Sequence, residues 1–212
     1  DTGLVNQGTL VQQSAYTLWL TGTPGEFNHG TWVVKGSLGL LGYQGTDLGK
    51  IEVDGTLQVD TAMDAIAALD ALTKVKATRV SLTAPLIANA PSATRQTKTY
   101  PWPLEMVVTG DVVNAFDLQA PGLKLKSRSL KTTGHLFSLE DVLDVRCAGD
   151  VLIDTTAMTF GRSGVYMEAD NLITEGRKRT DHAEIPVFRL HMYGTAYAAL
   201  KNYYARKFLQ LY

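Results

Sequence analysis

The feature that most constrains this chain is a recurrence. Leu4-Val5-Asn6-Gln7-Gly8-Thr9-Leu10-Val11 returns as Glu26-Phe27-Asn28-His29-Gly30-Thr31-Trp32-Val33, with Gly8 and Gly30 22 residues apart. Gly49-Lys50-Ile51-Glu52-Val53 follows 19 residues after Gly30, and Gly55-Thr56-Leu57-Gln58-Val59 comes directly behind. Between them lie the alternating runs Tyr16-Thr17-Leu18-Trp19-Leu20 and Lys35-Gly36-Ser37-Leu38-Gly39-Leu40. A repeat this short cannot bury its apolar residues alone and must stack on its neighbours.

The downstream half repeats more loosely. Phe116-Asp117-Leu118-Gln119-Ala120 resembles Leu143-Asp144-Val145-Arg146-Cys147 and then Val165-Tyr166-Met167-Glu168-Ala169, at offsets of 27 and 22. Each is followed by a further short run: Leu123-Lys124-Leu125, Val151-Leu152-Ile153 and Leu172-Ile173. Apolar and polar residues alternate at period two, broken by Gly, Asp or Asn. The pattern predicts an all-β chain, a parallel β-solenoid. Asn6 above Asn28 is expected to form an amide ladder beside Gly8 and Gly30. Leu18, Leu20, Leu38, Leu40, Ile51 and Val53 are expected inside. An antiparallel sandwich also has many short strands, and alternation alone does not separate the two.

Three segments interrupt the pattern. Residues 61–72 are alanine-rich, with Met63, Ile66, Leu69 and Leu72 on one side. This predicts a short helix with Thr61 as N-cap and Asp64 in its first turn. Residues 88–103 hold three prolines, which oppose helix and interior strand alike. They read as a surface excursion. Arg95, Lys98, Tyr100 and Trp102 either offer it to a partner or, through the aromatics, pin it to the coil.

The third segment, 177–212, forms a basic aromatic tail after a solenoid spanning 1–176. It carries seven Lys/Arg against two acids, so it is +5 and the remainder is −6, although the 212-residue chain totals only −1. Tyr197, Leu200, Tyr204, Phe208 and Leu211 recur at three and four residues, which predicts an amphipathic helix. It would cap the open coil, lie on a membrane or meet a partner. Arg177, Lys178 and Arg179 read as a solvated basic loop, with a processing or anion-binding site as the alternative.

Candidate chemistry is sparse. Asp1-Thr2-Gly3 spells an aspartic-protease triplet but has no second copy, and that chemistry needs two carboxylates. Cys147, the lone cysteine, sits in an alternating run and is expected to be buried. His29, His135, His182 and His191 lack metal-ligand spacing, although Asp181-His182-Ala183-Glu184 is a short candidate cluster. No cofactor is expected. Asp117 and Asp144 occupy matching repeat positions, and Asp170 follows. Stacked acids on an outer face could cleave a glycosidic bond or bind a cation, whereas Asp is also common in turns.

The Asn-x-Gly-Thr-(Leu/Trp)-Val rungs and their spacing resemble haemagglutinin repeats of filamentous haemagglutinin-type exoproteins from bacterial two-partner secretion systems. The resemblance covers residues 3–60 most clearly and 105–175 more loosely. It implies a right-handed parallel β-helix, an extracellular or cell-surface location, and adhesion or toxin delivery. It supplies no catalytic residues. Its implied partner is a protein or glycan on a host or neighbouring cell. Self-association and membrane contact by the tail are further expectations; nucleic acid is not expected, because the charge balance is near zero. Leu4 to Val11 already reads as mid-pattern, so the chain is expected to be a piece of a longer one. Two other functions fit the same architecture: a carbohydrate-acting or phage tailspike-like enzyme using Asp117, Asp144 or Asp170, and a subunit assembling end to end.

Overall fold

The computed structural model describes residues 6–13, 16–21, 28–89, 94–154, 157–175 and 196–206. They divide into two compact units: Asp1–Leu86 with Trp102–Val107, and Ile87–Pro101 with Val108–Tyr212. Each unit is a parallel β-solenoid.

In the first unit, β1 (Thr9–Gln13), β3 (Thr31–Lys35), the first half of β5 (Lys50–Thr61) and the start of β6 (Lys76–Ala84) stack as one face. β2 (Leu18–Thr21), β4 (Leu38–Tyr43) and the later parts of β5 and β6 stack as a second. Inward positions repeat down the stack. Leu18, Leu38, Leu57 and Val80 form one column, and Leu20, Leu40, Val59 and Leu82 another. From Leu38 and Leu40 onward both columns are fully buried. Each such side chain contributes roughly 1.5–3 kcal/mol. Parallel sheets usually bury both faces and read as unbroken apolar runs. Here the coil closes on itself, so only alternate residues are apolar.

The expected amide ladder is present. Asn6 and Asn28 are bridge partners, and Asn6 Nδ2 donates to Asn28 Oδ1 at 2.9 Å and to Thr31 O at 3.1 Å. Asn28, 3% exposed, repeats the move one rung on, donating to Leu48 O at 2.9 Å. The glycine of each motif lets the backbones close. A Cβ on Gly30 would lie 2.0 Å from Gly8 O, and one on Gly49, at φ +66°, 2.3 Å from Asn28 O. The offsets of 22 and 19 are the observed registers, Thr9 on Thr31 and Thr31 on Lys50.

The helix is shorter than residues 61–72. α1 spans Ala65–Ala71, and its N-cap is Asp64, whose side chain accepts from Ile66 N and Ala67 N. Thr61 is instead the last residue of β5, its hydroxyl donating to Tyr43 O at 2.6 Å. A buried strand-end hydroxyl serves the sheet, which leaves capping to the next available carboxylate. β9 (Leu104–Val108) follows β6 in the sheet order, and Val80 N donates to Pro103 O at 3.0 Å.

The second unit has three faces. The first holds β12 (Leu123–Ser127), β15 (Leu143–Cys147) and the start of β18 (Val165–Glu175). The second holds β7 (Ile87–Ala88), β10 (Asp111–Asn114), β13 (Ser129–Thr132), β16 (Asp150–Asp154) and the end of β18. The third holds β8 (Thr97–Thr99), β11 (Asp117–Ala120), β14 (Leu136–Ser138) and β17 (Thr159–Gly161).

These registers correct two sequence alignments. The run 143–147 stacks on 165–169 at an offset of 22, as expected, but its other neighbour is 123–127, not 116–120. Residues 116–120 belong to the third face. An extra face per turn inserts a third short apolar run, and the alternation of all three runs looks alike. The 88–103 excursion is likewise partly strand, since β7 and β8 lie within it.

The tail is corrected as well. Ala196–Arg206 is β19, paired in parallel with the whole length of β18, Val165 on Ala196 through Glu175 on Arg206. A helical stripe at 197, 200 and 204 loses to the eleven-residue edge of β18, whose main-chain groups need partners. Phe208, Leu211 and the basic loop Arg177, Lys178 and Arg179 lie outside the described residues.

Cys147 is buried at 6% exposure and stacks on Ser127, with Sγ 3.2 Å from the hydroxyl. Burial pushes its thiol upward from the ordinary range. Two outcomes follow. Asn28→Ala should cost about 1–3 kcal/mol, because it strands Leu48 O and Asn6. The thermal midpoint should fall by roughly 2–4 °C per kcal/mol, with Asn6→Ala costing less; an unchanged midpoint for Asn28→Ala would refute the ladder's role. Native Cys147 should resist iodoacetamide at neutral pH and react once the chain is unfolded in denaturant. Equal labelling rates in both states would contradict its burial.

Candidate functional site

The outer surface of the third face in the second unit concentrates the most varied side chains. Along β11, Leu118 and Ala120 point inward, so Asp117 and Gln119 point outward. Gln119, Phe137 and Phe160 are register partners on three successive rungs. Two residues earlier, His135 N donates to Asp117 Oδ1 at 2.8 Å. The outward columns are therefore Asp117 and His135 beside Gln119, Phe137 and Phe160.

Arg95 closes over this surface. Its Nε lies 3.4 Å from Asp117 Oδ1 and its Nη1 2.9 Å from His135 Nε2. The other imidazole nitrogen, Nδ1, accepts from Met158 N at 2.8 Å. His135, just before β14, thus ties that strand's entry to the residues entering β17. The ring stands 5.3 Å from Phe137, which meets Phe160 edge-on at 6.3 Å. Nearby, Lys98 Nζ lies 5.2 Å from the Phe116 ring centroid. The strip combines aromatic rings with N–H donors and one carboxylate.

Burial holds the His135 imidazole below its ordinary range; Asp117 opposes that and Arg95 adds to it. Both ring nitrogens face N–H groups, and a neutral ring offers one lone pair where an imidazolium offers none. The neutral form is therefore the one this geometry holds.

The other sequence candidates are scattered. Asp144 lies on the first face, where Arg146 grips both its oxygens at 2.9 and 3.0 Å. Asp117 is on the third face, so the two do not stack as matching repeat positions. Asp170 lies four residues past Tyr166, the register partner of Asp144, and its N–H donates to Gly149 O at 2.9 Å. The three acids therefore do not form a stacked pair. Tyr100 and Trp102, each 2% exposed, are core residues rather than contact residues. Trp102 Nε1 donates to Val75 O at 3.0 Å, so the aromatics anchor their segment. Of that set only Arg95 reaches the outer strip, since Lys98 is in register with the inward-facing Leu118. Among the described residues no group of three or more His, Cys, Asp or Glu is placed to hold a metal ion. No helix among them is long and apolar enough to cross a membrane.

The sequence reading weighed His135 only as a metal ligand and passed over Phe137 and Phe160. The available signal was His135-x-Phe137 in an alternating run, with Phe160 23 residues on. It also passed over a second polar ladder. Asn114, 1% exposed, bonds Thr132 Oγ1 at 3.1 Å, and Asn89 Oδ1 accepts from Ala115 N. No protein family, curated protein or solved structure matches the chain.

Because the His135 proton affinity is lowered on folding, the unfolded chain binds a proton first as pH drops. The ring's stabilising contribution is complete above the unfolded value, about 6.5, and is lost as pH falls through the folded value. The thermal midpoint should therefore decline from pH about 7.5 to about 5. The decline should be shallower in His135→Gln, whose amide oxygen can still accept from Met158 N. Superimposable pH profiles for the two proteins would refute the assignment.

Proposed function

We propose that the chain is a structural and binding segment of a larger bacterial secreted or cell-surface exoprotein, an adhesin or toxin-delivery stalk. One observation carries the reading. The Asn-x-Gly-Thr motifs, on which the resemblance to haemagglutinin repeats rests, are the residues that register one coil on the next through the Asn6–Asn28 bond. In such an architecture the interior is filled by side chains, as in the Leu38 and Leu40 columns, and recognition belongs to the outer faces. The Arg95–His135–Phe137–Phe160 strip supports that division of labour. The partner is a protein or glycan on a host or neighbouring cell.

The reading is tested on the cells that make the protein. Antibody raised against the chain should label intact, unpermeabilised cells or recover it from the medium. Signal confined to lysed cells would overturn an exoprotein role.

A further inference from the structure

Among the described residues of the second unit, one turn of the coil carries a run of lysines with no ion-pair partner. Between Asp117 and Glu140 the chain has no acidic residue but carries Lys124, Lys126, Arg128 and Lys131. Leu123, Leu125 and Ser127 of β12 point inward, leaving Lys124 and Lys126 exposed on the first face. Leu130 and Thr132 of β13 do the same for Lys131 on the second. We propose that Lys124, Lys126 and Lys131 form a binding line for a linear anionic polysaccharide. The proposal deepens the reading of the chain as a binding segment and rests on it.

The neighbouring cations are already engaged. Arg128 is paired with both oxygens of Asp111, and Ser129 Oγ donates to the same carboxylate at 2.7 Å. Arg146 occupies both oxygens of Asp144, the residue in register with Lys124. Asp144 is therefore already engaged. The three lysines make no ion pair with any described residue.

Geometry selects the partner. Lys124 and Lys126 are two residues apart on a strand, about 6.6 Å. The next rung outward is Asp144 and Arg146, and the next Tyr166 and Glu168. The positive strip is thus one rung wide, about 4.8 Å, which suits a single thin chain rather than a duplex. A single-stranded nucleic acid wants open aromatic faces. The nearby Tyr166 ring is covered by the Arg146 guanidinium at 5.0 Å, and its hydroxyl is bonded to Glu168. An acidic peptide would gain most by adding a strand, but β13 is flanked by β10 and β16 and offers no edge. A polymer with a carboxylate or sulfate on successive sugars needs neither.

The test uses the whole chain and immobilised polymers: polygalacturonate for carboxylate, dextran sulfate for sulfate, neutral dextran, and oligothymidylate. Binding to one or both anionic glycans is expected, weakening as salt rises past about 0.15 M. The Lys124→Gln/Lys126→Gln/Lys131→Gln variant should bind about tenfold more weakly or worse. Lys35→Gln/Lys74→Gln, which alters lysines paired with Asp54 and Asp47, should bind like the parent. Matching thermal melts establish that the exposed substitutions leave the fold intact. Failure of both anionic glycans to bind, or undiminished binding by the triple variant, overturns the proposal. Tighter binding of oligothymidylate through the same lysines replaces the polysaccharide with nucleic acid. None of these outcomes bears on cell-surface labelling, which tests the broader reading separately.

Discussion

Parallel register between successive coils is the constraint on which everything else depends. Most strands are three to five residues long, too short to persist alone. Their main-chain groups are satisfied only by the rung before and the rung after. Side chains alternate in and out, so a slip of one residue would exchange Leu123 and Leu125 for Lys124 and Lys126. Where the backbone turns, pairing must be held by something other than the strand ladder. Polar side chains take that role: Asn6 with Asn28 in the first unit, and Asn89, Asn114 and Thr132 in the second.

The first half was legible because its repeats are spelled out at the corners. Asn6-x-Gly8, Asn28-x-Gly30 and Asp47-x-Gly49 mark the same corner, and the interval from one to the next is the length of a coil. The second half lacks that punctuation. Its runs around 118, 125, 130 and 145 are similar in pattern but belong to three faces, so similarity alone matched the third face to the first. The tail shows a different ambiguity. Tyr197, Leu200 and Tyr204 satisfy a helical period, but the decision lay in the open edge of β18, which no local pattern reveals. The aromatics at 100 and 102 could serve contact or anchoring on sequence alone, because a proline-rich segment signals a departure from the coil and not its direction; their burial decides for anchoring.

The outer faces differ in chemistry although their interiors are alike. In the second unit the third face carries rings, an imidazole and a guanidinium. The first face carries paired charges around Asp144 and Arg146, and lysines without counterparts beside them. The scattering of Asp117, Asp144 and Asp170 follows from the same construction. Asp117, Asp144 and Asp170 share no outward column, so they do not act as a stacked pair.

The helix α1 shows how much freedom the corners retain. Thr31 sits 19 residues before its partner Lys50, whereas Glu52 sits 24 before Lys76, with α1 accommodated in the difference. Pairing resumes on the far side without loss of the inward columns. The coil therefore measures its circumference at the strands and leaves the arc between them unspecified. An evolving chain can lengthen an arc, decorate it or exchange it while the rungs stay countable, and new surface can accrue without a new core.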